Sequence, residues 1–311
     1  MTINQEPNTS LSRRDLLRNV ASAAAALALP PPLTARVWVA EDPDRERLTS
    51  WTAALRAKCQ SRRDDSLGSD AIHVGELAQG TPYRPHTLEG YLRSGGSPVG
   101  REPLTLSLTQ FDCVTLVESC LAVARVADGR GVPTWERFGR EIELMRYRGG
   151  ERRGYASRLH YFSEWISDGE KRGLVRDLGA ELGGVVDARP LRFMTEHRGS
   201  YPALSHGAVF HEMAEVERRL GHSPRRVVAR RRIPEVADRL ETGDVLGFAT
   251  SIGGLDVTHA AFAYRDARGT LRVLHAPLSG GVVEVTHSTL PQYVAAIRHA
   301  TGVLVARPVR G

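Results

Sequence analysis

The change in sequence texture at Pro234 constrains the fold more than any other feature. After it, short β-branched or aromatic runs alternate with the turn-forming segments GG, DARG and PLSGG; the runs are DVLGFAT, HAAFAYR, LRVLHA and VVEVT. This pattern predicts antiparallel strands joined by tight turns. Because stretches of helical spacing precede these strands, we predict an α+β domain in which N-terminal helices pack on a C-terminal antiparallel meander sheet.

Helical spacing is clearest in three stretches upstream of Pro234. Residues 41–66 repeat apolar side chains every three or four positions, and a second helix is predicted from Cys113 to about Ala127, ending at Asp128-Gly129. The stretch PTWERFGREIELMRY is the third, and HGAVFHEMAEVERRLG also has helical character. The Gly-, Pro- and Ser-rich residues 80–100 are predicted to form a long ordered loop.

The first 40 residues resemble an export signal. Arg13 and Arg14 precede an alanine-rich apolar run, and prolines follow it. This order is typical of a secretory signal, and the paired arginines resemble the twin-arginine type. The run is shorter than the roughly 20 apolar residues of a membrane span. We therefore predict residues 1–40 as a twin-arginine-type signal and linker and residues 41–311 as a single folded domain; a disordered tail with chance arginines is the alternative.

Composition and charge indicate a globular protein without a nucleic-acid site. The chain has 311 residues, 41% of them hydrophobic, and a net charge of +6. The densest basic block, RRVVARRR at 225–232, has neither aromatic interleaving nor a nucleic-acid motif, so we predict a solvated strand face there.

The three cysteines are Cys59, Cys113 and Cys120. If Cys113 and Cys120 share one helix, seven residues of rise place them roughly 10 Å apart, which is too far for a disulfide. Pairing of Cys59 with Cys120 stays open. Cys120, in mid-helix among leucines, is predicted to be a core residue.

Cys113 allows two interpretations, as a nucleophile or as a core residue. Asp112 is a good N-cap residue, so Cys113 would lie in the first helical turn, where unpaired N–H groups and the helix dipole stabilise a thiolate. The charge of Asp112 opposes this effect. The choice therefore depends on whether the chain supplies a base to Cys113.

Two histidines in the strand region could supply that base. The segment DARGT, residues 266–270, suits a three-residue hairpin loop with Gly269 in the left-handed conformation. That register pairs Ala261 with His275 and places His259 diagonally beside His275 on one face. A two-residue loop would turn His275 to the other face.

The predicted histidine face is otherwise small and apolar; it carries His259, Ala261, Ala263, Val273 and His275. Because two alanines leave room for a close helix, we predict that the helix beginning at Cys113 packs on this face.

The sequence motifs resemble a known family: GTPYRPHTLEG, FDCVTLVES, RLHYFSEWI, GDVLGFATSIGGLDVTHAAFAY and VLHAPLSGGVVEV. From about Gly80 to the C-terminus they are similar to the amidase-like DUF1460 branch of the NlpC/P60 cysteine peptidase superfamily. The resemblance implies a papain-like α+β fold with the nucleophile on a helix packed against an antiparallel sheet. It also implies action on bacterial cell-wall peptides, as N-acetylmuramoyl-L-alanine amidases or as stem-peptide endopeptidases.

The resemblance assigns a role to each matching residue. Cys113 corresponds to the nucleophile, His259 to the general base and His275 to the residue that orients the base. Tyr83 corresponds to a loop tyrosine that lines the site and helps stabilise the oxyanion. His86 departs from the small residue expected there, so we predict that it narrows a subsite near Tyr83.

We predict residues 41–311 as a single catalytic domain that is periplasmic or secreted after export. The resemblance implies peptidoglycan or muropeptides as its substrate. We expect no nucleic acid, no cofactor and no stable membrane span after signal removal. No metal is expected, because His206 and His211 lack further ligands at zinc spacing and HEMAE lacks the second histidine of HExxH. A catalytically idle wall-binding module on the same scaffold is the alternative, to be distinguished by rapid alkylation of Cys113. Acyl transfer to an amine would use the same residues.

Overall fold

The computed structural model describes residues 42–59, 66–129, 131–279 and 281–310. The predicted signal at 1–40 lies outside them. The α-helices are α1 (Asp42–Cys59), α2 (Leu67–Leu77), α3 (Gly90–Arg93), α4 (Cys113–Asp128), α5 (Trp135–Arg146), α6 (Phe162–Lys171), α7 (Phe193–Glu196), α8 (Gly207–Leu220), α9 (Ile233–Val236) and α10 (Leu290–Ala296). None of the helices in these ranges has the length and apolar character needed to cross a membrane.

The predicted helices are confirmed where the chain is described. Helix α1 covers the first part of the 41–66 stretch, and α4 begins and ends where the sequence indicates. Thr134 caps α5 by accepting a hydrogen bond from the Arg137 N–H at 3.2 Å. The predicted loop at 80–100 also contains a 3-10 turn, Thr87–Glu89, and the short α3.

The strands form one antiparallel sheet; they are β1 (Val175–Asp177), β2 (Val185–Asp187), β3 (Arg225–Ala229), β4 (Val245–Thr250), β5 (Val257–Arg265), β6 (Leu271–His275), β7 (Glu284–Val285) and β8 (Ala300–Pro308). Their order is β2-β3-β8-β4-β5-β6-β7, and β1 also pairs with β8. The four strands predicted after Pro234 are β4 to β7, and they form the expected meander. The sheet extends further, because β8 returns to lie between β3 and β4.

The basic block at 225–232 differs from its prediction. It does contain a strand, β3, but Arg225 is buried and its guanidinium donates to Asp187 Oδ2 at 2.9 Å. A solvated face is therefore wrong for Arg225, because β2 runs beside β3 and supplies a carboxylate partner. Arg226 is exposed as predicted.

The helices cover both faces of the sheet. One buried cluster joins α1, α2, α4, α5 and α6 to Ala260 and Phe262 of β5. A second cluster joins α9 and α10 to Ala261 and Ala263, on the opposite face of the same strand. The prediction that α4 packs on the face of Ala261 and Ala263 is therefore wrong. The bulkier Phe262 gives α4 more apolar surface to bury than two alanines do.

Candidate active site

Asp112 places Cys113 at the first position of α4. Its Oδ1 accepts hydrogen bonds from the N–H groups of Val114 and Thr115 at 3.1 and 2.8 Å, and the Thr115 hydroxyl accepts one from the Asp112 N–H at 2.8 Å. This reciprocal pair is a capping box. The cap uses two of the free N–H groups of the first turn, and the N–H of Cys113 is not among them.

The pKa of Cys113 is raised overall, despite its position in the first helical turn. Burial, and then the charge of Asp112, raise the pKa of this thiol to about 12, although backbone N–H groups, including that of Ala260, act in the opposite direction. The residue as a whole is partly exposed, whereas its sulfur is desolvated. At neutral pH Cys113 is therefore a thiol, and the thiolate-stabilising effect considered from the sequence is outweighed. Rapid alkylation near neutral pH is accordingly not expected.

The hairpin between β5 and β6 has the predicted register. Gly269 has φ +80°, and the Asp266 N–H donates to the Thr270 carbonyl at 3.0 Å. The pairing of Ala263 with Val273 continues this register toward His275. His259 and His275 consequently meet, with Nε2 of His259 2.9 Å from Nδ1 of His275. Each is only 2% exposed.

Burial keeps both imidazoles neutral. It lowers the pKa of His259 to about 3, with a smaller contribution from the charge of His275, and it lowers the pKa of His275 to about 4. Nδ1 of His259 is buried without a hydrogen-bond partner. A neutral imidazole with a free ring nitrogen can accept a proton there if its other nitrogen carries the hydrogen.

A β-bulge lies at His259. Between the pairs Gly247–Ala260 and Ala249–Val257, two residues of β5 face one residue of β4. A bulge bends its strand and re-aims the local side chains. Alternation therefore breaks just before His259, because Val257 packs on the side of Phe262, whereas His259 lies on the side of Ala261 and Ala263. The ring stacks on Phe248, with centroids 5.5 Å apart and planes at 11°.

Cys113 and the histidines approach from different sides of the sheet. The Ala260 N–H, next to His259 in the chain, lowers the pKa of the Cys113 thiol. A charge on the Cys113 sulfur in turn raises the pKa of Tyr293. The Tyr293 hydroxyl lies 3.3 Å from Nδ1 of His275. The start of α4 therefore lies near the bulged end of β5.

The loop containing Tyr83 connects both parts of this centre. The Tyr83 N–H donates to the Gly281 carbonyl at 2.8 Å, and the Arg84 N–H donates to the Phe111 carbonyl at 2.8 Å. Burial raises the pKa of Tyr83, and a charge on Cys113 raises it further. Tyr83 also forms an isolated β-bridge with Phe111, which places it near the start of the Cys113 helix.

His86 lies on the surface of the same loop. Its φ is 58°, and within the described ranges it is the only residue other than glycine with a positive φ. Such a conformation costs energy for a residue with a Cβ and is common at functional sites. The next residue, Thr87, donates from its hydroxyl to Asp112 Oδ2 at 3.1 Å, which ties this turn to the cap of α4.

Tyr293 and Glu284 are two further neighbours of the histidines, and no sequence signal indicated them. Tyr293 lies on α10, whose start TLPQ carries a capping box that predicts a helix but not its partner. Burial raises the pKa of Tyr293 to about 12, followed by the charges of Cys113 and Glu284. Glu284 lies opposite His275 across β6 and β7, with Oε1 3.6 Å from Nε2.

The other conspicuous histidines lie outside this centre. His160 donates from Nε2 to the Tyr155 carbonyl at 2.9 Å and packs on the Tyr155 ring, and burial lowers its pKa well below the ordinary value. Those contacts fit a structural histidine. Within the described ranges, including His206 and His211, no three His, Cys, Asp or Glu side chains gather as a metal site requires.

Comparisons with known proteins place the chain among amidase-like proteins. Over residues 73–302 its sequence matches the AmiA-like family, described as N-acetylmuramoyl-L-alanine amidase-like. The chain belongs to this family. No curated protein matches it.

Solved structures share the fold of this chain. An N-acetylmuramoyl-L-alanine amidase from Bacteroides uniformis ATCC 8492 is 27% identical, with a TM-score of 0.70 over 78% of this chain and 99% of that one. A Bacteroides fragilis protein with a provisional xylanase assignment is 29% identical, with a TM-score of 0.66 over 75% and 99%. A DUF1460 protein from Legionella pneumophila is 17% identical, with a TM-score of 0.61 over 86% and 96%, and supports the fold alone.

Proposed function

We propose that this protein is an exported cysteine hydrolase of peptidoglycan with a papain-like, NlpC/P60-type catalytic domain, and that it acts as an N-acetylmuramoyl-L-alanine amidase. The observation that carries the proposal is the His259–His275 hydrogen bond of 2.9 Å, which leaves a buried, unpartnered Nδ1 on His259 near the start of the Cys113 helix. Membership of an amidase-like family and the Bacteroides uniformis amidase support the substrate class. Export is proposed from the arginine pair at residues 13–14 and the apolar run after it.

The proposed reaction starts from a neutral thiol and a neutral imidazole. Nδ1 of His259 takes the proton of Cys113 as the sulfur attacks the amide carbonyl, since a free thiolate is not stable in this desolvated position. The oxyanion is held by the N–H of Cys113, which the helix cap leaves unused, and by Tyr83. The imidazolium then protonates the leaving amine, and water activated by His259 hydrolyses the acyl-enzyme. His86 would narrow the subsite beside Tyr83.

Digestion of purified sacculi tests the proposal. Amidase action should release intact stem peptides with a free N-terminal L-alanine and leave glycan strands without peptides, and both products are identified by mass spectrometry. Shortened stem peptides would instead identify an endopeptidase with the same chemistry. Binding to sacculi without any released fragment would contradict catalysis and identify a wall-binding module.

The pH dependence of hydrolysis should reflect the lowered pKa of His259. The base must be unprotonated, and its pKa of about 3 keeps it so throughout mildly acidic conditions. We expect kcat/KM to change less than about twofold between pH 5 and 8. If the base had an ordinary histidine pKa, kcat/KM would instead fall about 30-fold by pH 5. Initial rates of hydrolysis test this expectation, measured only at pH values at which tryptophan fluorescence shows that the protein is folded. An acidic limb centred near 6.5 would show that His259 is solvated in the free enzyme.

A further inference from the structure

The hydrogen bond between the two histidines can carry its proton in two ways. If Nε2 of His259 donates to Nδ1 of His275, Nδ1 of His259 is free to act as a base. If Nδ1 of His275 donates instead, the hydrogen of neutral His259 must be on Nδ1, and this nitrogen cannot accept the thiol proton. The distance of 2.9 Å is the same for both tautomers, so a further group must select one of them.

Glu284 is placed to make that selection. It pairs directly with His275 across the antiparallel strands β6 and β7, and its Oε1 is 3.6 Å from Nε2 of His275. Nε2 is buried and has no hydrogen-bond partner, while the Glu284 side chain is 53% exposed. A carboxylate at this distance favours a hydrogen on Nε2, because the N–H dipole then points toward the negative charge.

The other neighbours of His275 do not decide the tautomer. In the described part of the chain, the ionisable side chains recorded within hydrogen-bond or ion-pair reach of its ring are His259 on β5, Tyr293 on α10 and Glu284 on β7. The Tyr293 hydroxyl, 3.3 Å from Nδ1, can donate to a bare nitrogen or accept from an N–H. Glu284 is the one of the three that only accepts when ionised.

We propose that Glu284 is a positioning residue of the catalytic centre: it holds the hydrogen of His275 on Nε2, so that Nδ1 of His275 accepts from His259 and Nδ1 of His259 is free to take the thiol proton. This rests on the proposed cysteine hydrolase function. The tautomer itself exists whether or not the protein is an enzyme, and it can be measured separately.

The test combines Glu284→Gln and Glu284→Asp with imidazole nitrogen NMR on ¹⁵N-histidine-labelled full-length protein. In the unsubstituted protein, His275 should show a protonated Nε2 and a bare Nδ1. Glu284→Gln removes the charge at nearly constant shape; it should shift His275 toward the other tautomer and lower kcat on sacculus-derived muropeptides by about tenfold with little change in KM. Glu284→Asp keeps the charge and should retain the tautomer and most of kcat.

A matched control is Glu151→Gln, which neutralises an exposed carboxylate paired with Arg153. It should change neither the imidazole spectrum nor kcat. The role of Glu284 would be wrong if Glu284→Gln left both the tautomer and kcat unchanged. It would also be wrong if the Gln and Asp variants lost kcat equally at equal folded fraction. Neither outcome would contradict the hydrolase function. If the unsubstituted protein releases no muropeptide, the proposed function fails, and the NMR spectra still decide the tautomer.

Discussion

Cys113→Ala should abolish hydrolysis of sacculi while leaving the fold intact. In the proposed mechanism the sulfur forms the acyl-enzyme, and alanine offers no atom that could replace it. Loss of a nucleophile in a comparable constellation lowers kcat by roughly 10³- to 10⁶-fold. Quantitative release of muropeptides, with circular dichroism to verify folding, measures the effect.

Cys120→Ala is the matched control for this substitution. Cys120 is a buried free thiol seven residues further along α4, so it shares the helix and the residue type but not the site. Its replacement should cost about 1 kcal/mol of stability through lost packing and leave kcat unchanged. If Cys113→Ala retained a tenth of the activity, or if both variants lost it equally, cysteine catalysis would be wrong.

Glu118→Ala should lower the free energy of unfolding by about 3–5 kcal/mol, because it leaves a buried guanidinium without its counter-charge. Glu118 lies on α4 and Arg146 at the end of α5, and each side chain is at most 3% exposed. Arg146 donates from Nε to Glu118 Oε2 at 2.7 Å and from Nη1 to the Thr105 carbonyl at 2.6 Å. Urea denaturation followed by circular dichroism measures the loss.

Arg101→Ala supplies the comparison for that experiment. Its guanidinium also meets a carboxylate, that of Glu143 at 3.3 Å, but the Arg101 side chain is 64% exposed. An exposed pair contributes at most about 1 kcal/mol, so this variant should unfold almost like the unsubstituted protein. Similar losses in the two variants would mean that burial of the Glu118–Arg146 pair has little effect on stability.

Local sequence signals predicted the parts of the site that depend on neighbours in the chain. Asp112 indicated the start of α4, and the loop DARGT fixed the register of β5 and β6, which is enough to bring His259 beside His275. Both are short-range effects of capping and turn geometry. Cys120 is a free thiol, and the side chain of Cys59, with which a disulfide was left open, lies outside what the structure describes.

The parts that failed depend on non-local packing. Alternation grouped His259 correctly with Ala261 and Ala263, but the small size of the two alanines did not determine which face α4 covers, so α4 was predicted on the wrong face of the sheet. The carboxylate partner of Arg225 comes from β2, in a region where the sequence pattern was weak. Tyr293 and Glu284 reach His275 from elements whose positions only the assembled sheet defines.

The backbone bonds of the Tyr83 loop have a consequence for protein engineering. This loop is hydrogen-bonded to the backbone of Phe111, two residues before the proposed nucleophile, and to that of Gly281, six residues after His275. Replacing it with a relative's loop of different length to change substrate preference would therefore displace both the start of the Cys113 helix and the segment after His275. We expect such chimaeras to lose turnover together with selectivity, so point changes at solvent-facing positions such as His86 are the safer route to new preferences.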